Sequence, residues 1–105
     1  MSEPINVTAI FRPLPGKREE VLANLRVAIP LVHEEEGCEL YAITDAPDGT
    51  IVMIEKWTSA ELLDAHGAGQ PVADLNVAND GLLATPVEVT RLVPIPVGDA
   101  VKGAL

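Results

Sequence analysis

Four aliphatic residues in a row, Ile51-Val-Met-Ile54, follow the turn-forming segment Ala46-Pro47-Asp48-Gly49, in a run that ends at Thr58. Side chains along a strand alternate between the two faces of its sheet, so this run is apolar on both faces and requires cover on both. The first alternation of the chain has the same character. Ile5, Val7, Ala9 and Phe11 fall on one side and Asn6, Thr8, Ile10 and Arg12 on the other, with Ile10 interrupting the polar side. A chain of 105 residues makes one domain with one modest core, and its helices suffice for one sheet face. The other face is expected to meet a second copy, giving a symmetric homodimer through the sheet. A monomer with a partly apolar open face is the plain alternative.

Pro13, Pro15 and Gly16 end the first strand, and from Lys17 the period changes from two to that of a helix. Val21, Leu25, Ala28 and Val32 form a stripe widened by Leu22 and Ile29, while Glu19 and Glu20 suit the positive N-terminal end. Pro30 lies inside this pattern and predicts a kink or an earlier end. Cys38 to Thr44 and Ile51 to Thr58 read as the two strands of a hairpin. Thr58-x-x-Glu61 has the form of a capping box, opening a short helix with Leu62, Leu63 and His66 on one face and a stop at Gly67. After a break at Gly69 and Pro71, a helical piece is expected from about Val72 to Asn79, and a last strand from Val87 to Val93. The order β-α-β-β-α-α-β predicts an α+β ferredoxin-like sandwich with a four-stranded antiparallel sheet. Residues 1–94 would form this domain, and 95–105, entered through Pro94-Ile-Pro-Val-Gly98, a loosely held C-terminal tail or arm.

Composition restricts the partners. Seven Lys and Arg against 16 Asp and Glu give a net charge of −9, which repels phosphate backbones and anionic lipid. One Phe, one Tyr and one Trp provide no stacking platform for bases. Neither nucleic acid nor a membrane is therefore an expected partner. No stretch approaches the roughly 18 continuous apolar residues of a membrane span, and the start of the chain lacks the form of a signal peptide. The lone Cys38 has no internal disulfide partner, and no Cys/His cluster has zinc spacing. A cytoplasmic protein without a bound metal is the expectation.

The candidate chemistry gathers near the third strand. Trp57 closes it, Glu55 shares its face two residues earlier, and His66 lies on the apolar side of the following helix. A Trp, a carboxylate and an imidazole at one rim suit an apolar pocket with a few polar groups. Equally, a lone Trp is ordinarily core, and a lone His on an apolar helix face is ordinarily satisfied by a backbone carbonyl. Asn6 interrupts an apolar strand: turned inward it needs a partner or a ligand, turned outward it is solvated, and parity alone leaves both open. Asn76 and Asn79 could add polar contacts to the pocket or cap their helix. Glu34-Glu35-Glu36 reads as a solvated charge run at a helix end, and Cys38 as a buried strand residue without the cationic neighbour that a thiolate needs.

Taken in order, Pro15-Gly16, Glu36-Gly37-Cys38-x-x-Tyr41, Glu55-x-Trp57 and Leu63-Asp64-Ala65-His66 resemble the antibiotic biosynthesis monooxygenase family, over roughly residues 5 to 94. The resemblance implies a ferredoxin-like dimer, a dimeric α+β barrel, with a pocket between sheet and helices. It implies one of three activities: cofactor-independent oxygenation of polyketide anthrones and quinols, haem degradation, or isomerisation of a phosphorylated small molecule. Haem-degrading members are matched at Asn6 and Trp57, but Asn76 stands where their axial His would be. Anthrone-oxidising members are matched at Trp57, but Met53 and Leu63 replace their amide and Tyr, and the family's second His is missing from Gly67–Val72. The isomerase reading would need Arg91 or Arg12 to hold a phosphate. The leading expectation is a cofactor-independent monooxygenase of a quinol-like or polyketide aromatic substrate, with His66, Trp57 and Asn6 catalytic and Glu55, Met53, Leu63, Asn76 and Asn79 around the substrate. The alternative is a dimeric, non-catalytic small-molecule-binding or stress-associated module of the same fold, with Met53 and Leu63 plugging the pocket.

Overall fold

A computed structural model describes residues 3–105. Its elements run β1 (Ile5–Phe11), α1 (Arg18–His33), β2 (Cys38–Asp45), β3 (Ile51–Trp57), α2 (Ala60–Gly67), α3 (Gln70–Ala78) and β4 (Glu88–Leu92). The strands form one antiparallel sheet in the order β2-β3-β1-β4, the α+β ferredoxin-like arrangement. Ala46-Pro-Asp-Gly49 closes the β2–β3 hairpin as expected. Gly49 donates its N–H to the Ala46 carbonyl, and the Asp48 carboxylate accepts from both the N–H and the hydroxyl of Thr50.

Register assigns the faces. Val7, Ala9 and Phe11 of β1 stand opposite Glu55, Met53 and Ile51 of β3, and all six are buried. Helix α1 lays Val21, Leu25, Ala28 and Val32 on this face, and the core forms between them. Across the sheet, Thr8, Ile10, Val52, Ile54 and Lys56 are only half-buried, because all three helices lie on one side. The run Ile51–Ile54 is thus buried on one face at Ile51 and Met53 and partly open on the other at Val52 and Ile54.

Three local expectations need adjustment. Helix α1 runs through Pro30 to His33. Pro30 and Arg26, whose carbonyl loses its intrahelical donor, are both solvent-exposed, so water can serve that carbonyl. The cap of α2 is Ser59, whose hydroxyl accepts from the Leu62 N–H, and not Thr58. Helix α3 begins at Gln70, with Pro71 inside its first turn, where a missing N–H costs no hydrogen bond. The segment 95–105 has neither helix nor strand, but it closes on itself. Asp99 accepts from the N–H groups of Val101 and Lys102, and Val97 donates to the Gly103 carbonyl. No helix among the described residues is long and apolar enough to cross a membrane.

Candidate active site

A cavity of about 660 Å³ opens between the helix-bearing face of the sheet and the helices. This is within the range of small-molecule sites. Val7, Ala9, Phe11 and Met53 form its floor; Leu63, Val72 and Leu75 of α2 and α3 form an apolar wall. Val87 and Val89 border the side toward β4, an edge strand exposed along its whole length. Met53 and Leu63 line the space without filling it.

At one end the apolar lining gives way to Glu55, His66 and Tyr41. β3 alternation brings Glu55 to the buried face, and α2 carries His66 down onto it. His66 Nδ1 lies 2.8 Å from Glu35 Oε1, while its Nε2 is 4.0 Å from Glu55 Oε1. The first is a hydrogen bond and the second is beyond bonding distance. Trp57 donates its indole N–H to Glu55 Oε1 at 2.9 Å. Its ring lies against His66 with centroids 4.5 Å apart, and Tyr41 meets the same imidazole edge-on at 5.3 Å. The imidazole is therefore held by two rings and one carboxylate, with its second nitrogen on the Glu55 side.

Burial pushes the Glu55 carboxyl above the ordinary range, an effect opposed by the Trp57 N–H and by His66 and reinforced by Glu35. Burial first, then the charges of Glu55 and Glu35, raises the Tyr41 hydroxyl well above its ordinary value. The same causes raise Cys38, which is half-buried at the start of β2, so it is poorly suited to form a thiolate. Among the described residues no group of three His, Cys, Asp or Glu is placed to hold a metal ion. The chemistry available is proton transfer at an imidazole flanked by carboxylates, beside a largely apolar space.

The structure brings together most of the residues expected at the site. His66, Glu55, Met53, Leu63, Asn76 and Asn79 all line the cavity. Asn79 is also the C-cap of α3, with its side-chain oxygen accepting from Asn24 at 2.9 Å. Trp57 does not form a cavity wall. It is wholly buried behind Glu55 and His66 and touches the site through them. Asn6 is not at the cavity either. Its register partners are Lys56 and Leu92, which puts it on the opposite sheet face, where its side-chain oxygen is buried without a partner among the described residues. Of the two arginines, Arg91 lines the cavity and pairs with Asp64 at 2.6 Å, whereas Arg12 pairs with Glu88 away from it.

Glu35 is the residue that sequence reasoning missed. The run Glu34–Glu36 is not uniformly solvated: Glu34 and Glu36 are exposed, and Glu35 turns inward to His66. The signal was Gly37. A glycine directly after an acidic run at a helix end marks a reversal in which one side chain can face back toward the core.

The family model described as antibiotic biosynthesis monooxygenase matches residues 4–75. Rv0793 of Mycobacterium tuberculosis, whose name makes it a candidate monooxygenase, is 32% identical over 96 residues, covering 90% of this chain and 95% of Rv0793. Its solved structure superposes with a TM-score of 0.85 over 92% of this chain and 100% of that one. YgiN of Escherichia coli, whose name makes it a candidate quinol monooxygenase, is 40% identical over 75 residues, covering 59% of this chain and 71% of YgiN. PA3566 of Pseudomonas aeruginosa superposes with a TM-score of 0.81 at 25% identity, over 90% of this chain and 97% of that one. From the fold, the cavity and the extent of these matches, the chain belongs to the antibiotic biosynthesis monooxygenase family.

Proposed function

We propose that this chain is a cofactor-independent monooxygenase of the cytoplasm, oxidising a quinol-like or polyketide aromatic substrate with molecular oxygen. The observation that carries the reading is an imidazole between two carboxylates at one end of an open, largely apolar cavity. An aromatic substrate fits the apolar floor, and its acidic proton is taken by His66, whose ring nitrogen faces Glu55 at the end of that floor. For an anthrone-type methylene, the resulting anion supplies the electrons for a new C–O bond to oxygen. His66 returns the proton to the peroxide, and loss of water leaves the ketone. One methylene and one O₂ become one carbonyl and one water, so no outside reductant enters. The protein's part is to stabilise the anion and exclude bulk water.

The half-buried aliphatics Ile10, Val52 and Ile54 support a working unit of two copies packed through the far sheet face. The Asn6 side-chain oxygen, buried without a partner among the described residues, lies on that face as well. Absence of the family's second His between Gly67 and Val72 favours a second reading, a dimeric small-molecule-binding module without turnover. One experiment separates the two: oxygen uptake and product formation on a panel of hydroquinones and anthrones, with and without air. The proposal expects oxygen-dependent turnover that His66→Ala lowers by about 100-fold or more. Ligand-induced thermal stabilisation without turnover establishes the second reading, and turnover indifferent to oxygen refutes the first.

A further inference from the structure

We infer that Glu35 is a positioning residue: its carboxylate takes the Nδ1–H of His66, fixes the neutral imidazole in that tautomer, and turns the Nε2 lone pair toward Glu55 and the cavity. A neutral imidazole carries one N–H, and here two carboxylates compete for it from opposite sides of the ring. Distance decides the competition, because Glu35 Oε1 is within hydrogen-bonding reach at 2.8 Å and Glu55 Oε1 stands off at 4.0 Å. Were Glu55 the sole acceptor, the ring would present its N–H to Glu55, and its lone pair would point away from the cavity.

The backbone makes the Glu35 contact a built feature. Glu35 donates its N–H to the Val32 carbonyl at 2.9 Å, continuing the last turn of α1, and its own carbonyl accepts from Cys38 at 3.3 Å. Gly37 follows with φ +86°, and its carbonyl accepts the Thr58 N–H at 3.0 Å. A Cβ at Gly37 would lie 2.8 Å from Cβ of Leu62, on the helix that carries His66. The turn and α2 are thus in direct contact at a position only glycine fits. Glu35 Oε2 is buried without a partner among the described residues, so His66 is the one side chain that its carboxylate engages. Trp57 and Tyr41 restrain the ring plane, and Glu35 supplies what they cannot, the choice of nitrogen.

The test is a long-range ¹H–¹⁵N correlation spectrum of the protein with labelled histidine, recorded at alkaline pH where the ring is neutral. His33, the other histidine, is identified by comparison with His66→Ala. The wild-type His66 is expected to show a protonated Nδ1 and an unprotonated Nε2. Glu35→Ala, and Glu35→Met as a variant of similar volume, are expected to shift it to the Nε2–H tautomer, with the far-UV spectrum and melting curve showing a folded chain. A wild-type Nε2–H tautomer, or an unchanged tautomer in folded Glu35→Met, overturns the inference. Its kinetic arm rests on the proposed monooxygenase reading. There Glu35→Met is expected to lower kcat by about tenfold to a hundredfold with KM within about twofold, and an unchanged kcat overturns the positioning role. A chain that turns over none of the substrates sinks the monooxygenase reading and not the tautomer assignment, so the two failures are distinguishable.

Discussion

Replacing Trp57 with Phe tests whether the indole supports the buried carboxylate or merely fills space. The substitution keeps an aromatic ring in a wholly buried position and removes the N–H that Glu55 accepts at 2.9 Å. Truncating the larger ring costs about 1–2 kcal/mol at any pH, judged from the range for large-to-small core changes. The lost hydrogen bond adds about 1.5–3 kcal/mol when its acceptor is ionised and about 1 kcal/mol when it is neutral. The sign of the pH dependence follows from Glu55. Its folded-state pKa lies above the ordinary 4.5, so its contribution to stability is full below that value and is lost as pH rises through the folded-state pKa. Without the indole N–H the folded-state pKa climbs further, and more stability is lost over the same rise. The destabilisation by Trp57→Phe is therefore expected to be about 0.5–2 kcal/mol larger at pH 8 than at pH 4, each kcal/mol being worth roughly 4–8 °C of Tm for a domain of this size. Urea unfolding followed by far-UV circular dichroism at fixed protein concentration measures it, since the substitution removes the chain's single Trp fluorophore. An equal penalty at both pH values would refute the role given to the indole–carboxylate bond.

Two further substitutions probe the frame around the site. Gly37→Ala forces a Cβ into contact with Leu62 and Thr58 at a positive φ; it is expected to cost about 2 kcal/mol or more by thermal denaturation, and a cost under about 0.5 kcal/mol would show that the turn yields easily. Ile54→Asp puts a charge on the half-buried far face without touching the cavity. If copies pack through that face, light scattering is expected to show a dimeric wild type and a monomeric, folded variant, and a monomeric wild type would refute the pairing.

The fold was legible because its signals are local and redundant. The change of period at Lys17, the Pro-Asp-Gly turn and the glycine breaks each fix an element independently of the others. The errors fall where one residue competes with tertiary context. Pro30 predicts a kink or an earlier end, and of the two the earlier end is absent, because on an exposed face the carbonyl it strands is open to water. Thr58 and Ser59 are both competent caps, and the choice between them depends on where β3 ends, which neither residue encodes.

The site was legible to the extent that strand parity could carry it. Counting by twos from Trp57 puts Glu55 and Met53 on one face, and both line the cavity. Counting along β1 cannot say which of its faces joins that one until a register is known, and Ile5 pairs with Trp57. That single pairing moves Asn6 to the far face with Lys56, so a residue that looked like a catalytic amide lies on the side of the sheet away from the cavity. Glu35 failed for the opposite reason. Its neighbours identify it as solvated charge, and only the reversal at Gly37 and the approach of α2 from a distant part of the chain give it an imidazole to bond. A composition-based reading assigns charge to runs, whereas the fold assigns it to individual side chains. Under the proposed function, one inward carboxylate, with Glu55 on the other side of the ring, is what would make His66 a directed base and not a buried histidine that happens to line a cavity.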